Sequence, residues 1–199
     1  MDDGRRILTV PNALSLARLG LVPVFLWLLW GQERAVAAAA LLAVLGATDW
    51  VDGYIARRFD QGSELGKVLD PVADRALLLA AAVALLTWDL PTPVDVVLWV
   101  VLVREVVITV ATAGLALAGA RRIDVVWAGK AGTLAIMFAL PLFLLASVVD
   151  VGAALVAAAA WAFALGGLCL GWYAAARYVP EARRALREGR AHPAREVQA

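Results

Sequence analysis

Apolar residues fill long blocks of this chain, and polar residues gather between the blocks. The apolar stretches fall at 11–30, 35–57, 68–88, 94–119, 126–148 and 152–178. Each is close to the roughly 20 residues that a helix needs to cross the hydrocarbon core of a bilayer. The pattern predicts an all-α integral membrane protein of six transmembrane helices. The connections are short except around 58–67 and 119–126. Residues 1–180 read as one transmembrane domain, and 181–199, with its repeated arginines, as a polar solvated tail. The first stretch carries Asn12, Ser15 and Arg18 and no small-residue cleavage pattern, so it reads as the first span and not as a cleaved signal.

Charge gives the orientation. Arg5 and Arg6 precede span one, Arg57, Arg58 and Lys67 separate spans two and three, and Arg121, Arg122 and Lys130 surround the turn between spans four and five. Arg177 and the tail arginines follow span six. The opposite loops hold Arg34 together with Glu33, Asp89, Asp95 and Asp150. Basic loops stay on the cytoplasmic side, so both termini are expected there, as an even number of spans requires. Trp30 and Trp88 then mark outer helix ends, and Trp127 and Trp172 inner ones.

Composition agrees. The 199-residue chain is 63% hydrophobic, against about 45–50% in a soluble domain, and its mean hydropathy is +0.80. The net charge of +1 conceals the segregation just described. Cys169 is the single cysteine, so no disulfide framework exists, and it reads as a small buried hydrophobe.

The candidate chemistry lies where spans two and three meet the cytoplasmic boundary. Asp49 and Asp52 share a helix face with Ala56, at i, i+3, i+7. Asp70 and Asp74 share a face with Gly66, at i, i+4, i+8, if the helix reaches back that far. Pro71 is tolerable if Asp70 lies in the first turn, with Gly62 and Ser63 turning the chain before it. Acids at the edge of lipid are costly to keep. Four converging carboxylates repel one another unless cations lie between them. Oxygen-only donors suit Mg²⁺ or Mn²⁺, and two such ions would also clamp a diphosphate. Gly53 and Gly66 would let a ligand approach the backbone closely, and Arg57 offers a forked contact to phosphate. Taken singly, Gly53 also reads as a packing residue and Arg57 as a boundary marker.

The run Asp-x2-Asp-Gly-x2-Ala-Arg-x8-Gly-x3-Asp-x3-Asp, from Asp49 to Asp74, resembles the signature of the CDP-alcohol phosphatidyltransferase family at all eight fixed positions. Further runs resemble its cardiolipin synthase and phosphatidylglycerophosphate synthase branch, in actinobacterial form. They are Thr9-Val-Pro-Asn12-Ala-Leu-Ser15-Leu-Ala-Arg18, Arg104-Glu105, and Trp127-Ala-Gly-Lys130-Ala-Gly-Thr133. The resemblance implies a six-span homodimer in a bacterial plasma membrane, with its active site on the cytoplasmic side. It implies two divalent metal ions, Mg²⁺ or Mn²⁺, held by Asp49, Asp52, Asp70 and Asp74. Asp74 would also be the general base on an alcohol acceptor. Gly53, Ala56, Arg57 and Gly66 would line the pocket for the CDP of CDP-diacylglycerol. The acceptor would attack the lipid-side phosphorus directly and CMP would leave.

The resemblance bears on the acceptor as well. Synthases that use glycerol 3-phosphate typically carry an arginine eight residues after the one matching Arg104, and a second lysine just after the one matching Lys130. Thr112 and Gly132 appear at those positions. Two phosphate-binding cations are thus missing, which favours phosphatidylglycerol as acceptor and cardiolipin as product. Glycerol 3-phosphate, giving phosphatidylglycerophosphate, is the alternative, and inositol phosphate a more distant one. Arg104, Lys130, Asn12 and Arg18 are the candidates for holding the acceptor or a lipid phosphate. Arg104 alternatively pairs with an acid on a neighbouring span, Glu105 is expected to point elsewhere, and Asn12, Ser15 and Arg18, on or near one face of span one, either approach the metal site or a lipid phosphate or anchor the membrane boundary. Two other classes compete. Intramembrane acids also mark ion or proton paths, as in a small transporter or channel, and a catalytically silent scaffold would keep the fold.

Overall fold

The computed structural model describes residues 10–59, 66–117 and 127–191, with side chains described for 12–48, 69, 72–114 and 127–177. Among the described residues six α-helices follow one another: α1 (Val10–Leu26), α2 (Ala35–Phe59), α3 (Gly66–Leu86), α4 (Thr92–Leu117), α5 (Trp127–Ala146) and α6 (Ala153–Ala191). They match the six expected spans. Among the described residues, four stretches are long and apolar enough to cross a membrane by composition alone: 12–31, 92–114, 127–146 and 153–177. The first part of α2, Ala35–Thr48, is apolar but shorter, and α3 carries Asp74 and Arg75 within its length.

Three boundaries differ from the sequence pattern. Span one ends in a π-helical turn, Trp27–Gly31, where the Gln32 amide donates to the Trp27 carbonyl at 3.1 Å. A β-carbon at Gly31 would stand 3.0 Å from the Trp27 ring, so the wider turn closes around a residue without a side chain. In α3 the helix starts at Gly66, which places Pro71 beyond the first turn. The proline removes one amide donor from the second turn, past the first four amides that have no helical partner. Finally, α6 continues to Ala191, so the polar tail begins as an extension of the last span. Gly62 and Ser63, the expected turn, lie outside the described residues.

Helix α1 packs against α2 and α3, α5 against α2, α3 and α6, and α4 against α3 and α6. Leu42 and Gly46 of α2, Leu77 and Leu78 of α3, and Met137 of α5 surround a narrow apolar gap where these three helices converge. The core runs through Phe25, Leu29, Leu85, Leu98, Leu140 and Leu144. Phe143 meets Trp161 edge to face, with ring centroids 5.3 Å apart. Large apolar side chains also cover the outside, among them Val96, Trp99, Val103, Val107 and Val110 of α4. In water such a surface would aggregate. In lipid it is the ordinary outer face of a spanning helix. Cys169 is exposed on this outer face, which corrects its expected burial.

At one end of the bundle the Trp30 indole N–H donates to the Thr87 hydroxyl at 2.9 Å, and the Trp88 indole N–H to the Ser147 hydroxyl at 3.2 Å. These contacts tie the ends of α1, α3 and α5 at the level where the sequence puts an aromatic belt.

Helix α6 lies on α5 with almost no space between backbones. A β-carbon on Gly132 would be 2.9 Å from the Gly167 carbonyl oxygen and 2.9 Å from the Gly171 nitrogen. Backbone atoms cannot yield as a flexible side chain can. Gly132→Ala is therefore expected to destabilise the bundle by about 1–3 kcal/mol through overpacking. Gly20 has nothing within 4 Å of its missing β-carbon, so Gly20→Ala should be neutral or stabilising by up to about 1 kcal/mol. Thermal unfolding of both variants in detergent checks the contrast, and an unaffected Gly132→Ala would show that the two helices separate easily.

Candidate functional site

The two acid-bearing helices end on the same side of the bundle. Asp49 and Asp52 lie in the last three turns of α2, and Asp70 and Asp74 in the first three turns of α3. At 1.5 Å per residue, all four fall roughly 6–15 Å from the adjoining helix ends. Because α3 begins at Gly66, the face Gly66, Asp70, Asp74 is continuous helix. Gly53, Ala56 and Arg57 follow on the last turns of α2. The side chains of Asp49, Asp52, Ala56, Arg57 and Asp70 lie outside the described residues, as does the immediate environment of Gly53 and Gly66.

Asp74 is described, and it is engaged. Its Oδ1 accepts from the Arg18 guanidinium of α1. The Arg18 side chain is 2% exposed and that of Asp74 is 25% exposed. Asn12 and Ser15, at three-residue steps on the same face of α1, are equally buried. Three buried polar residues in one apolar helix are costly to keep out of water. Their common face is turned toward the interior and not toward the membrane boundary. Of the places the sequence left open for Arg18, which were the acidic site, a lipid phosphate and the membrane boundary, the structure brings it to an acid of the motif.

A second polar cluster lies one residue further along α3. The Arg104 guanidinium, on α4, pairs with Glu105 and donates to the Thr133 hydroxyl of α5 at 3.2 Å. The Arg75 Nε is 4.0 Å from Glu105 Oε2. Arg104 and Glu105 are 7% and 5% exposed. This corrects the expectation that Glu105 points away from Arg104: neighbours in sequence, the two pair within the interior, where a charge needs a counter-charge. Arg75 joins Asp74 to this cluster by direct succession. The sequence reading passed over Arg75 because it falls just beyond the motif, although a cation adjoining a motif acid inside a span was itself a signal.

Helix α6 shapes the Arg104 seat. A β-carbon on Gly171 would stand 3.0–3.1 Å from the guanidinium atoms, so the arginine occupies space that any other residue would fill. The Arg104 Nε is buried and, among the described residues, has no hydrogen-bond partner. Lys130 is exposed, one turn before Thr133 in α5. Thr112 is also exposed, with its hydroxyl folded back on the Ile108 carbonyl at 2.8 Å. Gly132 lies in backbone contact with Gly167 and Gly171 of α6.

Truncating one member of a buried ion pair leaves the other uncompensated, at a cost of about 3–5 kcal/mol. Glu105→Ala should lower stability by that order, since Arg75 and Thr133 offer Arg104 no negative charge. Adding Arg104→Met should restore much of the loss. Chemical or thermal unfolding of the single and double variants tests this, and additive losses would mean that the pair contributes nothing.

The sequence profile of the CDP-alcohol phosphatidyltransferases matches residues 8–170. The chain is 42% identical to "Cardiolipin synthase (CMP-forming)" of Streptomyces coelicolor over 187 residues, covering 92% of this chain and 86% of that protein. It is 35% identical to the CDP-diacylglycerol–glycerol-3-phosphate 3-phosphatidyltransferase of Escherichia coli over 139 residues, 66% and 74% of the two chains. The Bacillus subtilis protein of the same name is 36% identical over 114 residues, 50% and 58% of the two chains. The match spans both the acid-bearing helices and the Arg104 cluster, and with it the chain belongs to the CDP-alcohol phosphatidyltransferase family, as a multi-pass membrane enzyme.

Proposed function

We propose that this enzyme transfers the phosphatidyl group of CDP-diacylglycerol to phosphatidylglycerol, releasing CMP and forming cardiolipin. The observation that carries the choice of acceptor is the near full-length similarity to the Streptomyces cardiolipin synthase. Glycerol 3-phosphate is the second reading. It draws on the similarity to the Escherichia coli and Bacillus subtilis enzymes and on the cations Arg75 and Arg104 around Glu105. Membership of an enzyme family removes the support for a transporter.

The family is metal-dependent in general. The donor set fits that requirement: four carboxylates within three turns of the adjoining ends of two helices, with Asp74 partly open, are hard oxygen ligands of the kind Mg²⁺ and Mn²⁺ prefer. Asp49, Asp52, Asp70 and Asp74 would hold two such ions. When bound, the ions neutralise the diphosphate and the charge that develops on departing CMP. The residues of the chain do the rest. Arg57 grips a phosphate of the CDP group from the end of α2, while Gly53, Ala56 and Gly66 leave room for the nucleotide. Arg104, with Lys130 nearer the helix end, holds the phosphodiester of the acceptor, and Asn12 lies on the α1 face turned toward the same interior.

Asp74 takes the proton of the acceptor hydroxyl. The oxygen so freed bonds to the lipid-side phosphorus, and the bond from that phosphorus to the bridging oxygen breaks, releasing CMP. No covalent enzyme intermediate is required. The catalytic unit is residues 1–180, acting at the cytoplasmic face of the membrane as a homodimer, with the basic segment after residue 180 outside the catalytic unit. The charge asymmetry of the loops supports that sidedness.

Purified enzyme with CDP-diacylglycerol and Mn²⁺ should convert labelled phosphatidylglycerol to cardiolipin and leave glycerol 3-phosphate unused. Phosphatidylglycerophosphate as the product would overturn the acceptor and leave the transferase chemistry intact. Arg57→Ala should weaken CDP-diacylglycerol binding by about 1.5–3 kcal/mol, the range for a hydrogen bond to a charged group. An unchanged affinity in an equilibrium binding assay would return Arg57 to the role of boundary marker.

A further inference from the structure

We propose that Arg18 is a positioning residue for Asp74, fixing the carboxylate that the catalytic reading uses as metal ligand and base. The inference rests on that reading. It assigns to α1 a part in the chemistry that the motif on α2 and α3 does not include.

The pair is asymmetric. Arg18 is sealed within the bundle while Asp74 remains one-quarter exposed. A sealed guanidinium cannot reach out to a lipid headgroup without abandoning its counter-charge, which the apolar interior opposes. An open carboxylate, in contrast, can accept a second partner. The bond from Arg18 goes to Oδ1. An ionised carboxylate has two oxygens and about four acceptor sites, enough to serve a guanidinium and further partners together. A guanidinium is planar and stiff, and its donors point in fixed directions. It therefore sets the plane of the carboxylate as well as offsetting its charge.

Helix packing supports the role. α1 lies directly against α3, and the buried face Asn12, Ser15, Arg18 lies within the bundle. Arg18 is eight residues into α1 and Asp74 eight residues into α3, so the two meet at the same depth, roughly 12 Å from their helix ends. Carboxylates that bind metal commonly depend on such a hydrogen-bonded partner for orientation, and removing the partner typically costs 10–100-fold in metal affinity or activity.

Arg18→Lys keeps the charge and loses the planar fork. Arg18→Met removes both and keeps the volume. Mn²⁺ binding to the purified full chain, without lipid substrate, is followed by electron paramagnetic resonance of free Mn²⁺. Thermal unfolding in excess chelator serves as the check on folding. The expected result is that one of the two Mn²⁺-binding steps weakens by about 10–100-fold in Arg18→Met and by a smaller factor in Arg18→Lys.

Unchanged Mn²⁺ binding in a folded Arg18→Lys together with a raised KM for either lipid would overturn the proposal and return Arg18 to phosphate binding. Unchanged Mn²⁺ binding with unchanged KM would also overturn it and leave a purely structural ion pair. Should Arg18→Met fail to fold, Arg18→Lys carries the test alone. Wild-type protein that binds no Mn²⁺ would remove the metal reading itself, a result distinct from a wild type that binds and a variant that binds equally well.

Discussion

Charge buried in an apolar bundle is the constraint on which the rest of this structure depends. A lone guanidinium or carboxylate in the interior is too costly to keep ionised. Each buried charge therefore recruits a partner, and the partners tie helices together. Arg18 and Asp74 link α1 to α3. Arg104, Glu105, Arg75 and Thr133 link α4 to α3 and α5. Pairs of this kind contribute little net stability over an apolar filling, but they fix which helix faces meet. Here they fix the faces that carry the reaction.

Close packing supplies the second condition. Between α5 and α6 the backbones touch at Gly132 and Gly167, and the same seam leaves the space at Gly171 into which Arg104 fits. Lipid offers no hydrophobic gain from bringing helices together, so association relies on contacts of this close kind and on polar links. The glycines that hold α6 to α5 thus also set the position of a buried cation on α4. Packing and site are one arrangement at this point, and a side chain added at Gly171 would disturb both.

The two polar clusters adjoin because Asp74 and Arg75 are consecutive on α3. One side chain turns to α1 and the other toward α4. A helix presents successive residues about 100° apart, so a single turn of α3 serves both the acid proposed as base and the cation beside Glu105. A membrane enzyme joining two phosphate-bearing substrates needs this proximity. It also needs the opposite charges kept distinct, which the change of partner from Asp74 to Arg75 provides.

Much of this was legible in the chain itself. Hydrophobic block length gave six helices at nearly their observed positions, because the bilayer thickness fixes what a span requires. The spacing of Asp49, Asp52, Asp70 and Asp74 placed two acids on one face of each helix, because helical periodicity is a local property. The family followed from the same residues. What the chain did not disclose was partnership. Asn12, Ser15 and Arg18 looked equally suited to the acidic site, a lipid phosphate or the membrane boundary, and Glu105 looked turned away from Arg104. Each depends on which distant helix lies opposite, and that is decided by how six helices pack around one another. The π-helical turn at Trp27–Gly31 and the continuation of α6 to Ala191 escaped for a related reason: a helix end is set by local geometry and tertiary support that a hydropathy pattern does not encode. The sequence determined the helices and their chemistry, and only the tertiary structure decided which charges answer one another, because buried charge is satisfied across the bundle and not along the chain.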